Sequence, residues 1–138
     1  MDPENIGGKD LISALKSVDY SSQTYMSSIT YPLTALNFAE ENISAEMLDT
    51  MLKTIIAGQQ SDGGFPYCTV DMGYGISSDV DTTAMTVQAL AKYYNTDERV
   101  KDSVDKALAY IKTQQFDDGS FGSVAWNSKS GESTSQVI

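Results

Sequence analysis

The sequence predicts an all-α chain of helical-hairpin repeats, and three observations carry that prediction. Apolar residues recur at helical spacing in successive stretches, of which Met47, Leu48, Met51, Leu52, Ile55 and Ile56 form the clearest stripe. No segment sustains the period-two alternation of a half-buried strand. Finally, Gln59-Gln60-Ser61-Asp62-Gly63-Gly64-Phe65 returns as Gln114-Gln115-Phe116-Asp117-Asp118-Gly119-Ser120-Phe121, each copy standing where a helical pattern stops. A polar loop and a capped apolar run follow each copy, with Asp81-Thr82-Thr83-Ala84 after the first and Glu132-Ser133-Thr134-Ser135 after the second. The repeating unit is helix, glutamine pair, Asp-Gly turn, loop, helix.

In chain order, Leu11, Ile12, Leu15 and Val18 predict a short helix from Asp10 to about Val18, with Asp10 as its N-cap. The Ser-, Thr- and Tyr-rich run from Tyr20 to Ser28 reads as a loop or entry turn. Pro32 fits the first turn of a helix carrying Leu33, Leu36 and Ala39 that fades by Asn42. Ser44 caps the stripe that begins at Met47, and Gly58 marks its end. Ser61 to Ser78 is then a long glycine-bearing loop, the kind that often carries function. Ser78 or Asp79 caps a helix with Val80, Ala84, Val87, Leu90, Ala91 and Tyr94 on one face, ending near Asn95. Thr96 or Asp97 opens another, with Val100, Val104, Ala107, Leu108 and Ile111 as its stripe. Glu132 to Ile138 reads as the first two turns of a further helix, which implies one domain over residues 1–138, truncated at its C-terminal end, with self-association through the open repeat edge.

Composition narrows the chemistry. Nine Lys and Arg stand against 19 Asp and Glu, a net charge of −10, which argues against nucleic acid or an anionic membrane as partner. Histidine is absent, removing the commonest metal ligand and general base together. The single cysteine, Cys68, permits no internal disulfide and has no soft partner for a zinc site. The N-terminus lacks a basic-then-apolar signal pattern, and no apolar run approaches the roughly 20 residues of a membrane span. Asp62, Asp71, Asp79, Asp117 and Asp118 do not match the calcium-loop spacing.

The spans Ile56-x-x-x-Gln60-x-x-Gly63-x-Phe65 and Tyr110-Ile111-x-x-x-Gln115-x-x-x-Gly119-x-Phe121 resemble the glutamine-tryptophan repeat of the terpene cyclase and prenyltransferase superfamily, with Phe in the Trp place. The runs Asp79 to Met85 and Glu132 to Ile138 are similar to bacterial surface proteins with prenyltransferase-like repeats, a group related to transcobalamins. This resemblance implies a partial α/α toroid in which an outer helix ends at the Gln and the Gly turn leads to an inner helix. It also implies a secreted or cell-surface location and, by analogy only, cobalamin as a ligand. The turn has its own physical logic, because Gly63 and Gly119 can take positive φ while Asp62 and Asp118 bond the turning backbone.

Two readings of function follow. The first is a non-catalytic binding or scaffolding module for a small-molecule, peptide or glycan ligand, using the aromatics and amides of the variable loops: Tyr67, Tyr74, Trp126 and Asn127. The alternative is a fragment of a class II cyclase-like enzyme, since Asp79-Val80-Asp81-Thr82 resembles the Asp-x-Asp-Asp acid motif, with Asp81 as general acid beside Asp79. Such an acid needs an aromatic-lined apolar cavity. The last Asp of the motif is Thr82 here, and aromatic residues make up only 9% of the chain. The zinc site of protein prenyltransferases needs a His that the chain lacks, and the complement-type thioester run is absent. Tyr20, Tyr25 and Tyr31 read as core and rim of the first repeat, and Met72 as loop-borne and exposed.

Overall fold

Helix caps explain where most elements begin. The computed structural model describes residues 4–40 and 42–138. Helix α1 (Leu11–Lys16) starts after Asp10, whose carboxylate accepts the Ser13 N–H at 2.9 Å. Ser44 caps α3 (Ala45–Ala57) through the Met47 N–H, Asp79 caps α4 (Val80–Leu90) through Thr82, and Asp97 caps α5 (Glu98–Thr113) through Arg99. Ser130 caps the short α6 (Gly131–Val137) through Ser133.

Helix α2 (Ser27–Phe38) departs from the reading that placed Pro32 in a first turn, because it begins five residues earlier and holds Pro32 inside. Its start is anchored from outside, since the Met26 N–H donates to the Tyr67 carbonyl at 3.1 Å. The run before it, expected as a loop or entry turn, contains a 3-10 turn (Tyr20–Ser22), in which the buried Tyr20 donates its hydroxyl to the Leu15 carbonyl. Helix α4 gives way at Ala91 to a 3-10 turn (Ala91–Tyr93) instead of running to Asn95.

The expected all-α, partial toroid class is corrected to a mixed α/β fold. About 53% of the described residues are helical and 11% are in strands and isolated bridges, the strands forming two small antiparallel sheets. Strand β1 (Phe65–Pro66) pairs with β2 (Ser78–Asp79), and β3 (Phe121–Ser123) pairs with β4 (Ser128–Ser130). Both sheets lie in segments that sequence periodicity assigned to loops. Strands of two or three residues are too short to display an alternation.

One core joins the helices. Met26, Ile29 and Leu33 of the α2 region meet Met51, Leu52 and Ile55 of α3, Ala89 and Leu90 of α4, and Val100, Val104 and Ala107 of α5, joined by Phe65. A smaller cluster of Ala84, Tyr110, Ile111 and Phe121 lies under the second hairpin. Helix α4 is the hub, packed on α2, α5 and α6. Its threonines Thr83 and Thr86 are fully buried, and each returns its hydroxyl to the carbonyl four residues back. Among the described residues no helix is long and apolar enough to cross a membrane.

Candidate functional site

The two copies of the Gln-Gly turn have the same wiring, and it fixes their register. In the first, the Gln60 N–H donates to the Gly64 carbonyl, the Gly63 N–H donates to the Gln60 carbonyl, and Asp62 Oδ1 accepts the Gly64 N–H. In the second, Phe116, Gly119, Ser120 and Asp118 repeat each bond. Gly63 and Gly119 take φ of 89° and 85°. The Gln59 amide donates to the Gly63 carbonyl and the Gln115 amide to the Gly119 carbonyl. Gln59 is therefore the partner of Gln115, which corrects the alignment that matched Gln60 to Gln115. Downstream, the Phe65 N–H donates to Thr83 Oγ1 at 2.8 Å, and the Phe121 N–H to Thr134 Oγ1 at 2.9 Å. Each turn is thus clamped to the first turns of the following helix.

Because each turn leads into a hairpin, the two hairpins stand side by side and leave a groove between them. Two adjoining concavities of about 400 and 310 Å³ make up this groove, and both are lined by Ser77, Ser78, Tyr110, Gln114, Ser123 and Trp126. Gln60 and Asp62 border one end, while Asp79, Ser128 and Ser130 border the other. The Trp126 side chain is 85% exposed. The lining contains hydroxyls, amides and carboxylates and no basic side chain. Burial, and then the carboxylates of Asp62 and Asp79, push the Tyr110 phenol up to about 12, so its hydroxyl stays protonated throughout the neutral range.

The groove's carboxylates are engaged locally. Asp62 Oδ1 accepts from the Ser78 hydroxyl at 2.6 Å besides the Gly64 N–H, and Asp79 Oδ1 accepts both the N–H and the hydroxyl of Thr82 at 2.7 Å. Asp118, in the second turn, lines neither concavity. The Lys129 ammonium, together with the hydroxyl and N–H of Ser120, holds its carboxyl well below the usual range. Among the described residues no group of three or more potential ligands could hold a metal ion.

The residues expected to bind ligand divide between two places. Trp126 lies in the groove, and Asn127 shapes the hairpin turn beside it, with φ of 49° and its N–H on the Val124 carbonyl. Tyr67 and Tyr74 line a separate concavity of about 190 Å³ with Val70 and Met72 on the long loop, adjoining the groove at Ile76 and Ser77. That loop is ordered from both ends. Thr69 donates its N–H to the Thr24 carbonyl, and Asp71 Oδ1 accepts the N–H groups of Gly73 and Gly75. Tyr74 at its tip is 97% exposed, whereas Tyr67 meets Tyr25 edge-on with ring centroids 5.4 Å apart. Asp81 lies in a third place, a groove of about 230 Å³ with Tyr31, Tyr67 and Met85.

Sequence reasoning did not find Tyr110, Gln114, Ser77 or Ser123 as lining residues. Tyr110 stands outside the apolar stripe read for its helix and, like Gln114, entered only through a repeat motif with an evident structural role. The available signal was Trp126 itself, the only tryptophan, standing in a loop rich in Ser, Gly and Asn. Comparison with family models, with curated proteins and with solved structures finds no match.

Proposed function

We propose that the chain is a non-catalytic binding module whose groove between the two hairpins takes a neutral, polyhydroxylated ligand, a glycan segment. The carrying observation is the exposed Trp126 indole above a lining of Ser77, Ser78, Ser123, Gln114 and the Tyr110 hydroxyl. An indole face suits the apolar side of a sugar ring, and short polar side chains suit its hydroxyls. The lack of basic side chains in the lining favours a neutral ligand over an anionic one.

A binding role is supported over hydrolysis because Asp62 and Asp79, the carboxylates at the groove, already accept hydrogen bonds from the turn and the helix they build. A pair of glycoside-cleaving acids must be free to exchange protons with substrate. The cyclase-like alternative is less well supported. Asp81 shares its groove with Ser27, Thr82 and Gln136, and the two tyrosines there are largely open to solvent. The cell-surface location in this proposal, like the analogy to corrinoid binders, rests on the family resemblance alone.

Because Trp126 is the single tryptophan, its emission reports directly on the groove. Titration with soluble oligosaccharides is expected to shift the emission to the blue, and Trp126→Ala is expected to weaken retention on the matching polysaccharide by about tenfold or more, the size of loss typical of an aromatic anchor. Emission that stays unchanged across neutral, acidic and amino sugars would reject the glycan reading. A shifted absorption of added cobalamin would replace it with the corrinoid one.

A further inference from the structure

We infer that Tyr110 is the specificity-determining donor at the base of the groove between the hairpins. Its hydroxyl donates to a ligand hydroxyl that in turn donates to Asp62 or Asp79, so the groove accepts glycans with free hydroxyls at that point and rejects etherified and anionic ones. The inference rests on the glycan reading of this groove and adds the group that reads the ligand. Tyr110 is only 8% exposed, and what remains open faces the groove, because the residue lines both concavities. The ring is held in place, since it packs with Ala84, Ile111 and Phe121, and a Cβ added at Gly64 would come 2.9 Å from Tyr110 Cδ1. Its hydroxyl nevertheless has no hydrogen-bond partner among the described residues. Other covered tyrosines are bonded within the fold, Tyr20 to the Leu15 carbonyl and Tyr93 to Asn37 Oδ1. A tyrosine with a buried ring ordinarily finds such a partner, and the partner of Tyr110 is left for a ligand to supply.

The neighbouring groups select the ligand's half of the bond. Burial, and then the charges of Asp62 and Asp79, keep the phenol protonated, so it is available as a donor. Asp62 engages Oδ1 with the Gly64 N–H and the Ser78 hydroxyl, and Asp79 engages Oδ1 with the N–H and hydroxyl of Thr82. Oδ2 of each accepts no hydrogen bond among the described residues. The base of the groove thus presents a donor beside open acceptors. A sugar hydroxyl answers both, because it accepts through a lone pair and donates its own proton. An ether oxygen accepts without donating, and an ammonium donates without accepting. A carboxylate or sulfate accepts but is repelled by Asp62 and Asp79.

The test begins with soluble glucan, mannan, xylan and chitin oligosaccharides read by Trp126 emission, and continues with the one that moves it most. Tyr110→Phe removes the hydroxyl alone and is expected to weaken that oligosaccharide by about three- to tenfold, the size of one neutral hydrogen bond. Because no bond within the fold is lost, the variant is expected to keep the parent's urea midpoint and the parent's emission in the free state. On the parent protein, the O-methylated form of the same oligosaccharide is expected to bind about tenfold more weakly, and uronic-acid oligosaccharides are expected to leave the emission unmoved. The inference is overturned, with the glycan reading left standing, if Tyr110→Phe binds like the parent, or if its midpoint falls or its free emission shifts. Binding of the O-methylated or uronic-acid oligosaccharides as tight as that of the neutral one overturns it as well. Emission unmoved by every oligosaccharide overturns the inference and the glycan reading together.

Discussion

The first Gln-Gly turn lies under α5, whereas the second is open to solvent, although the two have the same internal bonds. Gly63, Gly64 and Phe65 are buried, and the Gln59 amide reaches past its own turn to the Ser103 carbonyl of α5 at 2.8 Å. Gly119 is exposed, Ser120 is half-buried, and the Gln115 amide donates within its own turn, to the Gly119 carbonyl at 3.3 Å. The backbone conformation is thus a local property of Gln, Asp, Gly and a following Thr. Tertiary cover adds energy to that conformation without changing it. Among the described residues, the second turn has an ion pair and the first has none. Lys129 bonds Asp118 at 2.6 Å and lies over the Phe116 ring, while Ser78 occupies the corresponding place at Asp62.

The largest expected difference comes from the glycines. A Cβ added at Gly63 would lie 2.6 Å from the Lys106 carbonyl oxygen, a backbone atom that cannot move away alone, whereas one added at Gly119 would meet nothing within 4 Å. Both positions carry positive φ, so each alanine costs about 1–2 kcal/mol in backbone strain. Gly63→Ala adds the collision with α5 and is expected to lose about 3 kcal/mol or more, against about 1 kcal/mol for Gly119→Ala. Urea unfolding of the two variants measures the gap, and equal losses would show that α5 does not hold the first turn.

The threonine clamps come next. Thr83 is fully buried, and Thr83→Val leaves the Phe65 N–H without its acceptor, an expected loss of about 2 kcal/mol. Thr134 is only half-buried, so water can take over its bond to the Phe121 N–H, and Thr134→Val is expected to cost about 1 kcal/mol or less. Unfolding midpoints at constant denaturant slope decide it. A Thr134 effect as large as that of Thr83 would mean that the second turn is as well covered as the first.

Much of this architecture was legible before any coordinates. The α3 stripe, the Asp10 and Ser44 caps and the recurrence of the turn all come from local chemistry, which acts within a few residues and leaves a pattern in sequence. The hairpins did not show, because Phe65–Pro66 and Ser78–Asp79 find each other across an 11-residue loop and are too short for alternation. The register of the repeat was misjudged by one glutamine for a related reason. Adjacent Gln59 and Gln60 are indistinguishable by type, and only the bond from Gln59 to the Gly63 carbonyl tells which matches Gln115. In the candidate sites, Trp126 was legible as an aromatic in a polar loop. The burial of Tyr110 beneath the groove depends on how α5 meets the hairpins, and Tyr31 was taken for core or rim although α2 turns it outward.

The smallest expected effect separates the turns by their electrostatics. The folded-state pKa of Asp118 lies below its ordinary value of 3.8, mainly through Lys129 and then through the Ser120 hydroxyl and N–H. A depressed carboxylate contributes stability that is fully present above the ordinary value and is lost as pH falls from there through the lower folded one. Lowering the pH from about 5 to about 2 should therefore loosen the second hairpin, read as a lower protection factor at the Gly122 amide, with the intrinsic exchange rate at each pH divided out, and as a change in Trp126 polarisation. The ion pair is half exposed, so added salt should weaken it as well, and Lys129→Gln should shrink both responses while leaving those of the first hairpin as they were. Acid loosening at the first hairpin of the same size, or a Lys129→Gln protein with the parent's response, would show that the ion pair does not set the behaviour of the second turn. In that case the difference between the two turns would come from burial alone.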